Sequence, residues 1–446
     1  MLIGDLNIST QNSEEPKIIC FFFKHDKMIN IFSTKLNRII SLSILTLIYS
    51  IALFFTRMGR PFKRTHPLPQ RRILINGTFH NPNWFFAHIE PIVRSNYGEV
   101  ILVCDEPVAN LPGLRYVCPP RWAAKVFSRA GAKFLWSLFF GLRHGTDLFM
   151  GYHIFPSAIT ALICARLLGA NAVYQVTSGS LELEGGGWNA ENRLLVALGR
   201  PSAWIEYLAF AVTRSFDLVI VRGNTAAEFI RNRAKYQHYL EIITGSIDIK
   251  NNDTSKFRDI DVIFVGRLTE CKRPDRLIKA LSLVIDNIPS LNAVFVGDGP
   301  DLTDLKTQTH QLGLANHITF LGQRTDVPEL LERARVFVLT SRSESVSIAM
   351  LEAMALRVVP VVSDVGDLAS FVENDVTGFI LPGDDITGFS ERISRLLSNE
   401  SLRTQLAKNA CDRVISSCDR TILAQRWKQV LVKTTTKTTT GHKEKI

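Results

Sequence analysis

Apolar runs of strand length, continuous rather than alternating and closed by Gly, Asp, Pro or Ser, recur through this 446-residue chain with helical stretches between them. Six lie at residues 71–77, 99–105, 114–120, 146–153, 171–179 and 216–223, and six more at 261–267, 292–299, 317–323, 335–341, 358–364 and 377–383. Short β-branched runs without alternation are strands buried on both faces, hence parallel strands covered by helices on both sides. The polar stretch DIKNNDTSKFRD interrupts the series. The expected fold is therefore α/β: two Rossmann-like domains at residues 71–247 and 261–400, joined by a linker at 248–260. The carboxyl ends of both strand sets then converge on an interdomain cleft. A helix over 401–433 and a low-complexity, disordered tail over 434–446 are expected to follow.

A formal charge of +10 suggests a polyanion-binding surface, but the charge sits at the ends. Residues 1–72 hold 11 Lys/Arg against 4 Asp/Glu, and residues 431–446 hold 4 Lys against one Glu, so the 37 basic and 37 acidic residues between them cancel. That argues against a nucleic-acid partner. Seven cysteines, none in a C-x-x-C pair, point to a reducing compartment and no zinc site. The mean hydropathy of +0.09 is high for a soluble enzyme. Residues 39–56 (IISLSILTLIYSIALFFT) contribute to it, uncharged, with Lys35 and Arg38 before them and Arg57, Arg60, Lys63 and Arg64 after. This stretch, extended by snorkelling of its basic flanks, is expected to be a membrane-anchor helix that spans or dips. A tail (1–38) precedes it and a basic, Pro-rich linker (57–70) follows. The 38 upstream residues argue against a signal peptide, and the basic flanks against a core helix. Denser positive charge downstream places the main body on the cytoplasmic side.

The segment richest in chemistry is TSRSESVSIAMLEAMA, residues 340–355. A strand ends near Thr340, a short loop carries Glu344, and Ser347 is a good N-cap for a helix whose first amides can hold a diphosphate. Glu352 lies about 10 Å from Glu344 along that helix. Taken singly, both read as surface charges, but the helix around Glu352 is apolar, where an unpaired carboxylate is costly unless a ligand hydroxyl satisfies it. Two carboxylates flanking a helix N-terminus match a sugar nucleotide, with hydroxyls at both ends and a diphosphate between them.

At these residues the sequence resembles a retaining glycosyltransferase of the GT-B fold, in the family 4 group (glycosyl transferases group 1) with its E-x7-E motif. VGRLTECKRP (265–274), VFVGDGP (294–300), ITFLG (318–322), the E-x7-E element and VVPVVSDVGDLASFVENDVTGFILPGDD (358–385) follow in the family's order. The resemblance implies a nucleotide sugar as donor substrate, no further cofactor and no metal. It implies that Arg267 and Lys272 clamp the diphosphate, that Glu344 binds hydroxyls of the donor sugar and that Glu352 binds the ribose. Gly77, Gly266, Ser345, Val346 and Ser347 complete the expected donor-binding set. Two cations at the carboxyl end of the second domain's first strand are chemically suited to a diphosphate without a metal.

The chain departs from the family at Ser345, where Gly is usual. It also departs at Thr177, Ser178 and Gly179, where many relatives carry a His-Gly pair. His153 and His80 are the substitutes for that histidine, and His153 joins Glu344, Arg267 and Lys272 in the expected catalytic set. Each histidine reads equally as structural.

LELEGGGWNAEN (181–192) reads as a mobile acceptor wall or as a plain flexible loop. Arg121, Lys125, Arg129 and Lys133 recur every fourth residue among aromatics, which on one helix makes either an interfacial stripe or a solvated face. Gly297-Asp298-Gly299 lacks the third glycine of a dinucleotide fingerprint, and the D-x-D of Asp259 and Asp261 precedes a strand instead of following one. The expected function is metal-independent sugar transfer, with retention, to a lipid-linked or polysaccharide acceptor at the membrane. The alternatives are a sugar-nucleotide epimerase or phosphorylase of similar fold, and a non-catalytic nucleotide-sugar-binding membrane protein.

Overall fold

The computed structural model describes residues 17–58, 61–62, 70–79, 81–190, 192–248 and 257–440, with side chains from residue 35 to residue 436. Helix α1 (Lys17–Arg57) precedes the first domain. That domain runs β1 (Arg72–Asn76), α2 (Pro82–Arg94), β2 (Glu99–Val103), β3 (Leu114–Val117), α3 (Arg121–His144), β4 (Leu148–Tyr152), α4 (Ile159–Leu168), β5 (Asn171–Gln175), α5 (Arg193–Val196), α6 (Ala203–Thr213), β6 (Leu218–Val221), α7 (Asn224–Asn232) and β7 (Tyr239–Ile242). The second runs β8 (Ile260–Val265), α8 (Pro274–Val284), β9 (Ala293–Val296), α9 (Leu302–Gln311), β10 (Ile318–Gly322), α10 (Val327–Glu332), β11 (Ala334–Leu339), α11 (Ile348–Ala355), β12 (Val359–Ser363), β13 (Phe379–Leu381) and α12 (Ile386–Ser398). Two further helices, α13 (Glu400–Cys418) and α14 (Arg420–Thr440), close the chain.

Both sheets are parallel, ordered β3-β2-β1-β4-β5-β6-β7 and β10-β9-β8-β11-β12-β13. Each of the twelve apolar runs supplies a strand. The thirteenth, β7, is an edge strand of mixed polarity (YLEI) that carries no continuous apolar signal. In each sheet the winding reverses beside the first strand, between β1 and β4 and between β8 and β11. Ligands gather outside the carboxyl ends of strands at such a point.

Five expectations change. The single helix over 401–433 is two, because Asp419 leaves helical geometry and its carboxylate accepts the amides of Thr421 and Ile422 to start a new helix. α13 stays against α11, whereas α14 returns to the first domain, burying Trp427, Val430 and Leu431 with Ile73, Ile89 and Ile92. The tail expected to be disordered from residue 434 is helical through Thr440. Thr434 is buried, and the hydroxyls of Thr434, Thr435 and Thr436 donate to carbonyls four residues back, so packing on α2 overrides weak propensity.

Helix α3 breaks at Ser128 (φ 63°, ψ 162°), so the basic residues do not form one stripe. Lys133 is 7% exposed and donates to Asp105 Oδ2 at 3.1 Å and Thr78 Oγ1 at 2.9 Å. The loop at 181–192 is not plain coil but holds a wound turn: Gly185, Gly186 and Gly187 take φ of 60°, 79° and 76°, and a Cβ on Gly186 would lie 2.8 Å from Ile205 Cβ. Finally, α1 is continuous from Lys17, so no separate tail ends at 38, and one of its faces is core. Leu45, Tyr49 and Ala52 pack with the first domain beside α4 and α6.

Candidate active site

In the second domain, the loops after β8 and β11 meet. Gly266 continues β8, its amide donating to the Val296 carbonyl at 2.9 Å. Gly297 comes so near that a Cβ there would lie 1.9 Å from the Gly266 oxygen, which makes the Gly297-Asp298-Gly299 segment a packing element beneath this loop. Arg267 is exposed on the loop. Lys272 reaches across, its ammonium donating to Glu344 Oε1 at 2.5 Å, and the Ser341 hydroxyl donates to the same oxygen at 2.7 Å. Gly366, at φ 60°, lets the neighbouring loop press on Glu344, since a Cβ there would sit 1.9 Å from the Glu344 carbonyl oxygen.

Ser347 caps α11 by accepting the Met350 amide at 3.3 Å, and the Ser345 hydroxyl is buried without a hydrogen-bond partner. Burial pushes the Glu352 carboxyl up to about 7, with the Arg420 charge pulling the other way. The D-x-D is structural: Asp259 pairs with Arg333 at 2.5 Å and Asp261 with Arg335. Among the described residues no three His, Cys, Asp or Glu side chains gather as a metal cluster.

In the first domain, His153 follows β4 at φ 62°, its Nδ1 lying 2.6 Å from Thr177 Oγ1 and 3.3 Å from Glu182 Oε1. Glu182, 2% exposed, accepts from the Thr177 amide (2.6 Å) and hydroxyl (2.6 Å), the Ser178 amide (2.7 Å), the Tyr174 hydroxyl (2.7 Å) and the Ile154 amide (3.1 Å). Burial alone would raise this carboxyl, but the His153 charge and the hydrogen bonds from His153, Thr177 and Ser178 outweigh it and hold it down at about 2. The segment standing in place of the family's His-Gly pair is thus fixed by a carboxylate. A Cβ on Gly77 would lie 2.5 Å from Phe79 Cε2, so a larger residue there would displace that ring. His80 lies outside the described residues.

The halves are joined at the same loop. Arg222, buried at the end of β6, donates to the Val346 carbonyl at 2.5 Å. Burial draws its guanidinium down to about 10, while Glu344 and Asp367 push the other way. Asp367 Oδ1 accepts the Thr225 amide at 2.7 Å at the start of α7, and the Asp367 amide donates to the Ser345 carbonyl at 3.0 Å. Lys272 and Glu344 are therefore brought together, with Ser345 and Val346 held from both domains. Sequence reading missed Arg222, Thr225 and Asp367, and it placed Glu182 in the 181–192 loop without its anchoring role. A charge closing the buried run FDLVIVRG was the available signal for Arg222.

With this geometry in hand, comparison with known proteins is informative. Residues 247–413 match the family model described as glycosyl transferases group 1. The N-acetyl-alpha-D-glucosaminyl L-malate synthase of Bacillus anthracis is 22% identical over 279 residues, 61% of this chain and 71% of its own. The UDP-Gal:alpha-D-GlcNAc-diphosphoundecaprenol alpha-1,3-galactosyltransferase of Escherichia coli is 32% identical over 155 residues, 34% of this chain and 40% of its own, so the match spans less than half of that relative. The crystal structure of Anabaena HepE in complex with UDP superposes with a TM-score of 0.65 at 17% identity, covering 81% of this chain and 100% of that one. The chain has the GT-B fold, and the stretch that takes in its second domain matches glycosyl transferases group 1.

Proposed function

We propose that the protein is a retaining, metal-independent glycosyltransferase that moves a sugar from a nucleotide-diphosphate donor to a membrane-presented acceptor in glycan biosynthesis. The acceptor is a lipid-linked saccharide or a polysaccharide. The observation that carries this reading is the Lys272–Glu344 pair beside the capped start of α11, in the domain that matches the family.

In this reading the donor diphosphate lies at the first amides of α11 and draws Lys272 away from Glu344. The released Glu344 carboxylate accepts from hydroxyls of the sugar, and Glu352 accepts from the ribose. As the glycosidic bond breaks, Arg267, Lys272 and the α11 amides stabilise charge developing on the leaving phosphate. The acceptor hydroxyl attacks on the face the phosphate leaves, and a phosphate oxygen takes its proton. No enzymic base is then needed, and His153 supports the reacting sugar. A cavity of about 260 Å³ lined by Thr78, Phe79, Asp105, Glu106, Arg121 and Arg129 is the candidate acceptor site in the first domain. The name of the E. coli relative, with its diphosphoundecaprenol-linked substrate, supports a lipid-linked acceptor. The apolar helix through residues 39–56 supports membrane attachment, with both domains on the cytoplasmic side.

Calorimetry with UDP, the nucleotide in the HepE complex, tests the two carboxylates separately. Glu352→Ala weakens binding of bare UDP, whereas Glu344→Ala spares it and lowers turnover of the donor. Equal loss of UDP affinity in both variants contradicts the assignment.

A further inference from the structure

Helix α1 has two apolar faces, and the first domain uses one of them. Inward, Leu45, Tyr49 and Ala52 are fully buried. The Trp204 indole donates to Thr46 Oγ1 at 3.1 Å, and Arg38 Nη1 donates to the Leu198 carbonyl at 2.7 Å. These attachments run from residue 38 to residue 52, about 20 Å of helix. Outward, Ile40, Ile44, Leu47, Ile51 and Phe54 recur every three or four residues and are 39–61% exposed. Trp204 and Tyr207 of α6, stacked with ring centroids 5.9 Å apart and both more than half exposed, extend that surface.

A helix attached along its length to a folded domain cannot cross a bilayer without drawing in the flank it is attached to. Here that flank includes α6, whose Glu206 pairs with Arg233 at 3.0 Å, and charges in hydrocarbon are costly. We propose that α1 lies in the membrane plane as an added layer of the first domain. Its outward stripe, with Trp204 and Tyr207, is then a monotopic seat for an anionic lipid leaflet. This rests on the membrane attachment proposed above and replaces a spanning anchor with a surface one.

Charge selects the occupant. Basic residues close both ends of the stripe, at Lys35 and Arg38 and at Arg57, and the sequence holds no Asp or Glu between Asp26 and Glu90. Anionic headgroups complement that belt, exposed Trp and Tyr suit the interfacial depth, and the same charges oppose a second copy. The seat also makes α1 inseparable from the fold: deleting residues 1–60 uncovers apolar surface on α4 and α6, so the expected product is aggregation instead of a released soluble enzyme.

The test uses full-length protein and sedimentation with phosphatidylethanolamine–phosphatidylglycerol vesicles. The double variant Leu47→Lys/Ile51→Lys keeps the wild-type circular dichroism and Tm but binds vesicles at least about tenfold more weakly, since two large apolar contacts are lost. Protease treatment of sealed membrane vesicles reaches tags at both termini from the same side. Wild-type vesicle binding by the double variant, tags on opposite sides, or a wild-type dimer that the double variant converts to monomer would each overturn the proposal. None of these readouts involves sugar transfer, so the donor-site reading can fail without this one failing, and the reverse.

Discussion

In the second domain the charged groups of the cleft come from two loops that meet directly, and their pairing is spare. Lys272 holds one oxygen of Glu344, with Ser341 as the other donor to that oxygen. In the first domain the corresponding carboxylate is saturated: Glu182 accepts from three backbone amides and two hydroxyls and has lost almost all contact with solvent. One arrangement can exchange a partner for a ligand; the other can only hold what it holds. If the proposed function is right, the second domain's pair rearranges when the donor binds, while the Glu182 cluster stays preorganised.

The sharpest way to break this contrast is to remove each carboxylate. Glu182→Ala strands several buried donors, and at about 1–3 kcal/mol for each unsatisfied group the loss of stability reaches several kcal/mol. Urea unfolding checks it, against Glu344→Gln, which keeps an oxygen for Lys272 and Ser341 and should lose less stability than Glu182→Ala while losing turnover. Comparable destabilisation by both would erase the distinction. The Glu182 effect has a pH signature. Its folded value of about 2 lies below the ordinary 4.5, so its contribution is fully present above about 4.5 and is lost as pH falls towards 2.

Arg222→Lys probes the contact between the halves. The ammonium keeps the charge but not the guanidinium bond to Val346, so a loss of about 1.5–3 kcal/mol is expected in thermal unfolding, with a raised KM for the donor. Unchanged stability and KM would show that the contact at Val346 does not hold the donor loop.

Glu352 sharpens the picture from the donor side. Its folded value near 7 exceeds the ordinary 4.5, so the folded state retains a proton between those values and stability falls as pH rises through that window. If ribose hydroxyls donate to the ionised form, as proposed, UDP affinity should fall below pH 7 by up to about tenfold per unit. Glu352→Gln should flatten that profile; an identical slope in the variant would assign the titration to the nucleotide alone. The smallest effect is at the C-terminus, where truncation after residue 433 removes the buried Thr434 and the Tyr97 hydroxyl's bond to Thr435, a loss of about 1 kcal/mol in urea unfolding. No change would show that the helical end of α14 contributes nothing.

What could be read in advance follows the same division. The strands were legible because a continuous β-branched run between turn residues has one good reading, and β7 was not, because YLEI is a short edge strand of mixed polarity with only Leu240 buried. Lys272 and Glu344 were legible because each lies on the loop after a strand, β8 and β11, in a motif that resembles the family's. Glu182 was not: its glycine-rich sequel suggested mobility, whereas three positive-φ glycines wind it into a packed turn. Nothing in the sequence around Ser128 demands a left-handed serine, so the break in α3 and the burial of Lys133 were hidden. The inward face of α1 was hidden for a different reason, since a helix apolar on every side looks alike whether lipid or protein covers it.

The central claim is that fixed cations of the second domain, without a metal, carry the charge of the departing diphosphate. The direct measurement is release of nucleoside diphosphate from a panel of nucleotide sugars with membrane acceptor in EDTA, for wild type and for Lys272→Ala. The account predicts that wild-type transfer persists in EDTA and that kcat/KM in the variant falls by about 10² or more, the scale of losing one stabiliser of a developing anion. Transfer abolished by EDTA and restored by Mg²⁺ or Mn²⁺, with Lys272→Ala near wild type, would contradict it.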